Sequence, residues 1–156
     1  MKALVAYFSA SGVTAKLAGK LAEALNAPLY EIKPAAAYTA ADLDWTNKQS
    51  RSSLEMGDKD CRPALADTDA PVAEAEVIFV GYPVWWYREP SVIDSFLAAY
   101  DFTGKKIVPF ATSGGSGVGE EAPACMREIT RTEVDAGRRF AADADAAELK
   151  AWAEKV

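Results

Sequence analysis

Histidine is absent from this chain, and that absence removes more chemistry than any other feature of its composition. Without an imidazole there is no Ser-His or Cys-His dyad, no histidine general base and none of the usual zinc sites. Cysteine is scarce. Cys61 and Cys125 lie far apart and form no CxxC pair, so free thiols rather than a disulfide are expected. Long apolar runs are also missing: the longest are strand-sized, such as Val77, Ile78, Phe79 and Val80, far short of the roughly 20 residues of a membrane span. The opening residues 1–8 are too short and too aromatic for a signal peptide, and they run straight into a glycine-containing turn. No basic patch stands out beyond Arg138 and Arg139, which argues against nucleic acid as a partner. These absences predict a soluble cytoplasmic protein with no membrane or nucleic-acid partner, no metal site and no catalytic side chain, whose chemistry rides on a cofactor.

The 156 residues suit one domain with a sizeable core, and half of them are apolar. The net charge of −6 fits either plain solubility or docking onto basic protein partners, because opposite potentials speed encounter.

Short apolar stretches alternate with stretches of helical spacing. Residues 2–8 form an apolar, β-rich run, followed by a turn at 9–14. Residues 14–26 then show helical spacing, with Leu17, Leu21 and Leu25 four apart and Lys16, Lys20 and Glu23 elsewhere around the helix. Residues 28–32 read as a second strand, completing a βαβ unit. Residues 34–70 are the least regular, and a short helix or two is expected there, since a structureless loop of that length is unusual. Tyr38, Trp45 and Arg51 in this excursion are expected to pack on the sheet or to flank a ligand. A third strand follows at 75–82, then a helix at 91–100 with Ser91 as its cap, and a fourth strand at 106–111. A helix at 120–130, a short fifth strand at 132–135 and a final helix at 145–156, with Leu149 and Trp152 inward, complete the chain. The alternation predicts an α/β fold, a parallel sheet with helices on both faces. Right-handed crossovers then bring the loops after strands one, three and four to the carboxyl edge of the sheet.

Those three loops carry the candidate site. The first, Ser9, Ala10, Ser11, Gly12, Val13 and Thr14, puts three hydroxyls and a glycine just before a helix, whose free N–H groups and dipole suit a phosphate. It lacks the lysine of a triphosphate-binding GxxxxGK[ST] loop, so a single terminal phosphate fits better. An ordinary helix cap with a turn glycine explains the same residues. The second loop, Pro83, Val84, Trp85, Trp86 and Tyr87, holds three consecutive aromatics that cannot all enter one core. A flat ligand stacked on Trp86 or Tyr87 accounts for them, as does a core tryptophan beside a subunit contact. The third loop, Thr112, Ser113, Gly114, Gly115, Ser116 and Gly117, with Gly119 beyond it, lets backbone N–H groups approach a ligand closely. It does not follow GxGxxG, and by itself it reads equally as a flexible turn. Together the three describe a ligand with a phosphate at one end, a polar chain and a flat ring.

The sequence resembles the flavodoxin family, and more closely its short-chain flavodoxin-like branch. Ser9, Ser11, Gly12 and Thr14 match the family's hydroxyl-x-hydroxyl-Gly-x-Thr signature, and residues 80–86 and 110–117 look like that branch's flavin loops. The likeness runs from Met1 to about Phe140. It implies a doubly wound five-stranded parallel sheet of order 2-1-3-4-5 and bound FMN, with the first loop on the phosphate and the second and third around the isoalloxazine. The implied function is electron transfer between redox partner proteins; the alternative is an FMN-dependent NAD(P)H:quinone or flavin reductase of the same fold. Two departures bear on the redox potential. The third loop lacks the aromatic that many flavodoxins set against the second flavin face, and Arg88 brings a positive charge near the ring unless Glu89 neutralises it.

Overall fold

The computed structural model describes residues 2–112 and 117–156. Strand β1 (Ala3–Tyr7) is buried nearly throughout because it feeds two cores: Leu4 and Ala6 point to one face of the sheet, Val5 and Tyr7 to the other. The same alternation runs through β3 (Val77–Pro83), where Ile78, Val80 and Tyr82 oppose Phe79. In β4 (Lys106–Thr112), Ile107 and Ala111 oppose Val108 and Phe110. Burial on both faces is what a parallel sheet covered by helices requires. Helices α1 (Val13–Leu25) and α5 (Ala146–Ala153) cover one face with Leu17, Leu21, Leu149 and Trp152. Helices α3 (Ser91–Ala99) and α4 (Ala122–Thr130) cover the other with Val92, Ile93, Phe96 and Met126.

The strands run β2-β1-β3-β4-β5, all parallel, with β2 at Leu29–Glu31. This is the expected order. The fifth place differs in detail, being shared by two short strands, β5 (Glu133–Val134) and β6 (Arg138–Phe140), both parallel to β4. The sheet therefore has six strands in five places. The break falls opposite Pro109, whose carbonyl faces Gly137 and whose nitrogen has no hydrogen to offer a neighbouring strand.

Two expectations need correction. Ser91 does not cap α3: Pro90 holds the cap position, and the Ser91 hydroxyl donates to the Glu55 carbonyl at 3.1 Å. In the excursion, one short helix forms, α2 (Arg51–Met56), capped by Ser50. Arg51 lies over the Tyr38 ring, bonds Glu55 at 2.9 Å and donates to the Ala36 carbonyl at 2.7 Å, while Tyr38 packs on Phe8. Trp45 does not pack on the sheet; it is 71% exposed. No helix among the described residues is long and apolar enough to cross a membrane.

Candidate functional site

The loops after β1, β3 and β4 meet at the carboxyl edge of the sheet. Thr14, at the start of α1, is buried, and its Oγ1 shares a 2.8 Å hydrogen bond with Thr112 Oγ1 at the end of β4. The Phe8 N–H donates to the Gly81 carbonyl, joining the ends of β1 and β3 at 3.0 Å. Trp85, after β3, lies edge-on to Phe8, after β1, at 5.7 Å and to Tyr38 of the excursion at 5.5 Å between ring centroids.

The first loop is shaped to leave helix donors open. Gly12 occupies the cap position of α1 with φ 91°, a left-handed conformation that suits glycine, and no side chain caps the helix. Its own N–H is taken by Ser9 Oγ at 3.0 Å. Ala10, Ser11, Gly12 and Val13 are exposed, and the space that a Cβ on Gly12 would occupy is open. A 13-residue helix thus presents an uncapped N-terminus beside exposed serine and glycine, which is the donor set a phosphate uses.

The second loop is a strained two-residue hairpin. Trp85 and Arg88 exchange backbone hydrogen bonds of 3.0 and 3.1 Å across Trp86 and Tyr87, whose φ values are 45° and 67°. Such turns favour Asn-Gly; a non-glycine residue in the left-handed region costs roughly 1–2 kcal/mol. The surroundings offset that cost. Pro83 and Val84 are half-buried at its entry, and Trp85 is wedged between Phe8 and Tyr38. The Tyr87 carbonyl accepts the Glu121 N–H at 3.1 Å, and Gly119 fits directly against it. The outcome is that Trp86 and Tyr87, 42% and 63% exposed, stand out from a rigid base. Strain held by surrounding contacts is typical of functional sites.

Arg88 does not face the site. It is buried, and its Nη1 donates to Asp94 Oδ2 on α3 at 2.7 Å. Asp94, rather than Glu89, is therefore the neutralising partner, which corrects the sequence expectation. Glu89 is fully buried, and neither of its oxygens nor Asp94 Oδ1 meets a donor from elsewhere in the described residues. Burial, with the Asp94 charge beside it, pushes the Glu89 carboxyl up to about 9. Held protonated, Glu89 supplies the missing donor to Asp94 itself. The unit of Arg88, Asp94 and protonated Glu89 is then neutral.

In the third loop, Thr112 is fixed by Thr14, and Gly117 takes φ 65°. The Val118 carbonyl accepts a 2.7 Å bond from the buried Tyr82 hydroxyl. Ser113, Gly114, Gly115 and Ser116 lie outside the described residues. Sequence reasoning missed Asp94 as the partner of Arg88. A lone acid inside an amphipathic helix carries no signal of the residue it meets, whereas Gly119 was visible in the glycine-rich loop and Trp45 in the excursion.

Known proteins share the sequence pattern and the fold of this chain. The flavodoxin family profile matches residues 2–156. This chain belongs to the flavodoxin family. It is 42% identical to a protein of Bacteroides eggerthii DSM 20697 assigned as a flavoprotein, with 99% of this chain and 97% of that one covered and a TM-score of 0.89. A second such protein, from Bacteroides uniformis ATCC 8492, is 43% identical over 98% of this flavodoxin-family chain and 97% of its own, with a TM-score of 0.88. A flavoprotein of Lactobacillus acidophilus NCFM, solved in complex with FMN, shares the fold at 22% identity and a TM-score of 0.64, covering 97% of this chain and 98% of its own. No functionally curated protein matches. FMN is the family's cofactor.

Proposed function

We propose that this flavodoxin-family protein holds FMN at the carboxyl edge of its sheet and exchanges electrons over an exposed ring edge with partner proteins. The observation that carries this reading is the Thr14–Thr112 bond, which ties an uncapped helix start to the glycine loop beside the exposed Trp86–Tyr87 turn. The phosphate is received by the α1 N–H groups with Ser9, Ser11 and Thr14 around them. Trp85 serves as the wedge of the second loop, so ring contact falls to Trp86 and Tyr87; Thr112 and Gly117, at the two ends of the glycine loop, are the described positions that the resemblance assigns to the other side of the ring. When bound, FMN supplies one- and two-electron chemistry. The protein orients it, shields part of the ring and leaves the local charge balanced, since Asp94 compensates Arg88. The net charge of −6 favours partners with basic docking surfaces. The proposed setting is the cytoplasm, in keeping with two free cysteines.

The test is spectroscopic. Added FMN should show a perturbed absorbance spectrum and quenched fluorescence at micromolar protein; a free-flavin spectrum there overturns the reading. The carrier role then predicts reduction by a partner reductase and no steady-state consumption of NADPH by the protein alone.

A further inference from the structure

The far side of the phosphate loop, towards β2, has no part in the site described above. A cavity of about 240 Å³ lies there, at the carboxyl ends of β1 and β2. Ser9 and Ala10 of the phosphate loop form one end of it, Glu31 and Lys33 carry its charges, and Phe8 and Tyr38 give it an aromatic wall. Glu31 is the last residue of β2 and follows the loop glycine, Gly12, by about 20 residues. In α/β folds that bind dinucleotides, an acid so placed beside a phosphate-binding helix start takes the hydroxyls of a ribose. Tyr7, its partner across the β1–β2 ladder, sets its phenol beside the Glu31 carboxylate. A carboxylate has about four lone-pair sites, so acceptor capacity remains for a ribose diol. Lys33 lies 4.0 Å from Glu31 and is itself exposed, a cation on the same rim as the phosphate loop. The rim is held in shape. Pro34 bridges to Leu65, the Ala35 N–H donates to the Ala64 carbonyl at 2.7 Å, and the Ala66 N–H donates to the Lys33 carbonyl at 2.8 Å. Tyr38 is fixed by Arg51 over its ring and by the bond from its hydroxyl to Glu55.

We infer that this cavity receives the adenosine of FAD, so that the chain takes the flavin dinucleotide as well as FMN. The inference rests on the proposed FMN site, because the cavity begins at the loop that receives the flavin phosphate. The sheet order gives the direction. The ring lies towards the loops after β3 and β4, β1 stands in the middle, and β2 is on the opposite side, so a chain continuing beyond the phosphate runs towards Glu31. Ala10, Ser11 and Gly12 are exposed, which leaves the outer side of the phosphate open to a diester link. Glu31 accepts from the ribose hydroxyls, Lys33 offsets the charge of the second phosphate, and the adenine meets the aromatic wall. The space lies below the roughly 300–1,000 Å³ of drug-sized sites and suits a nucleoside rather than a whole second cofactor. A separate nucleotide would have to share Ser9 and Ala10 with the flavin phosphate, whereas FAD joins the two parts covalently.

Calorimetric titration of the apoprotein with FMN and, separately, with FAD tests this. The native protein is expected to bind FAD at least as tightly as FMN. Glu31 and Lys33 are exposed and lie outside the FMN loops, so either side chain can be removed without disturbing the core. Glu31→Ala should weaken FAD binding by about tenfold or more, the loss of a hydrogen bond to a charged group, and leave the FMN dissociation constant unchanged. Lys33→Ala should shift FAD affinity in the same direction, again without effect on FMN. A native protein that binds FAD more weakly than FMN, or variants in which the two affinities move together or not at all, overturns the inference and leaves the FMN site standing. Failure of the native protein to bind either flavin removes the FMN reading together with this one.

Discussion

Gly119 lies so close under Tyr87 that a Cβ placed on it would sit 2.7 Å from the Tyr87 carbonyl oxygen. Its φ of 92° is also one that side chains avoid. The glycine loop and the aromatic turn are therefore fitted backbone to backbone, with the Glu121 N–H closing the junction. Gly119→Ala must push the turn away or twist its own backbone. A loss of roughly 1–3 kcal/mol in denaturant stability is expected, with weaker FMN binding in the same variant. Unchanged stability and affinity would show that the two loops do not depend on each other.

Trp86 separates a backbone effect from a binding effect. Its φ of 45° is tolerated at a cost, while more than half of its indole is buried and stabilises the fold. Trp86→Gly removes both the strain and that burial, so the two oppose and its stability should lie within about 2 kcal/mol of the native value. The same change should weaken FMN binding by roughly 1–3 kcal/mol, by analogy with bases stacked on aromatic side chains. Chemical denaturation of the apoprotein and a fluorescence titration with FMN measure the two terms separately. A variant that keeps its affinity contradicts the reading of this strain as functional.

The Thr14–Thr112 bond is the direct link between the phosphate loop and the glycine loop. Thr14→Val keeps the shape of a buried side chain and leaves the Thr112 hydroxyl without that partner. Loss of one such bond costs about 1 kcal/mol in stability. FMN affinity should fall further than that figure alone gives, because both loops are predicted to touch the ligand. Equal melting temperatures and dissociation constants for the variant and the native protein would remove the bond from the site.

How much of this was legible in the sequence follows from the kind of physics involved. Strand and helix alternation is written in burial patterns local to each segment, and so the parallel sheet and the shared edge of three loops were readable, while the order of the strands came only from the family resemblance. Trp85, Trp86 and Tyr87 announced that some aromatic must be exposed, although not that Trp85 would be the wedge. The pairing of Arg88 with Asp94 was not readable. Glu89 is its neighbour in sequence, but the turn sends the guanidinium towards α3, where Asp94 waits six residues on. The split of the fifth strand depends on Pro109 meeting a partner that follows it by more than twenty residues. Trp45 was expected to pack on the sheet or flank a ligand, and only the fold shows that it stands exposed instead of packing on the sheet.

Glu89 and Asp94 make a pH dependence that can be signed in advance. Glu89 faces Asp94 from α3, Arg88 beside it, the Tyr82 phenol from β3 and the Cys125 thiol from α4, and Arg62 approaches Asp94 at 3.9 Å from the excursion. In the unfolded chain the Glu89 carboxyl titrates near its ordinary 4.5, whereas in the folded protein burial and the Asp94 charge hold it up to about 9. The folded state therefore binds one more proton between those values. The associated stability is complete below about 4.5 and is lost as pH rises towards 9. One proton corresponds to a slope of no more than about 1.4 kcal/mol per pH unit. Glu89→Gln keeps a donor for Asp94 Oδ1 but does not titrate. Its stability should fall less steeply than that of the native protein from pH 5 to 9, and it should be the more stable of the two at pH 8. Because the other ionisable groups are common to both, the difference in their denaturation free energies isolates this proton. FMN affinity should follow the same difference, since the lock on Arg88 anchors the turn that carries Trp86 and Tyr87. Parallel stability profiles across this range would mean that Glu89 is ionised in the folded protein, and the neutral unit behind the aromatic turn would have to be abandoned.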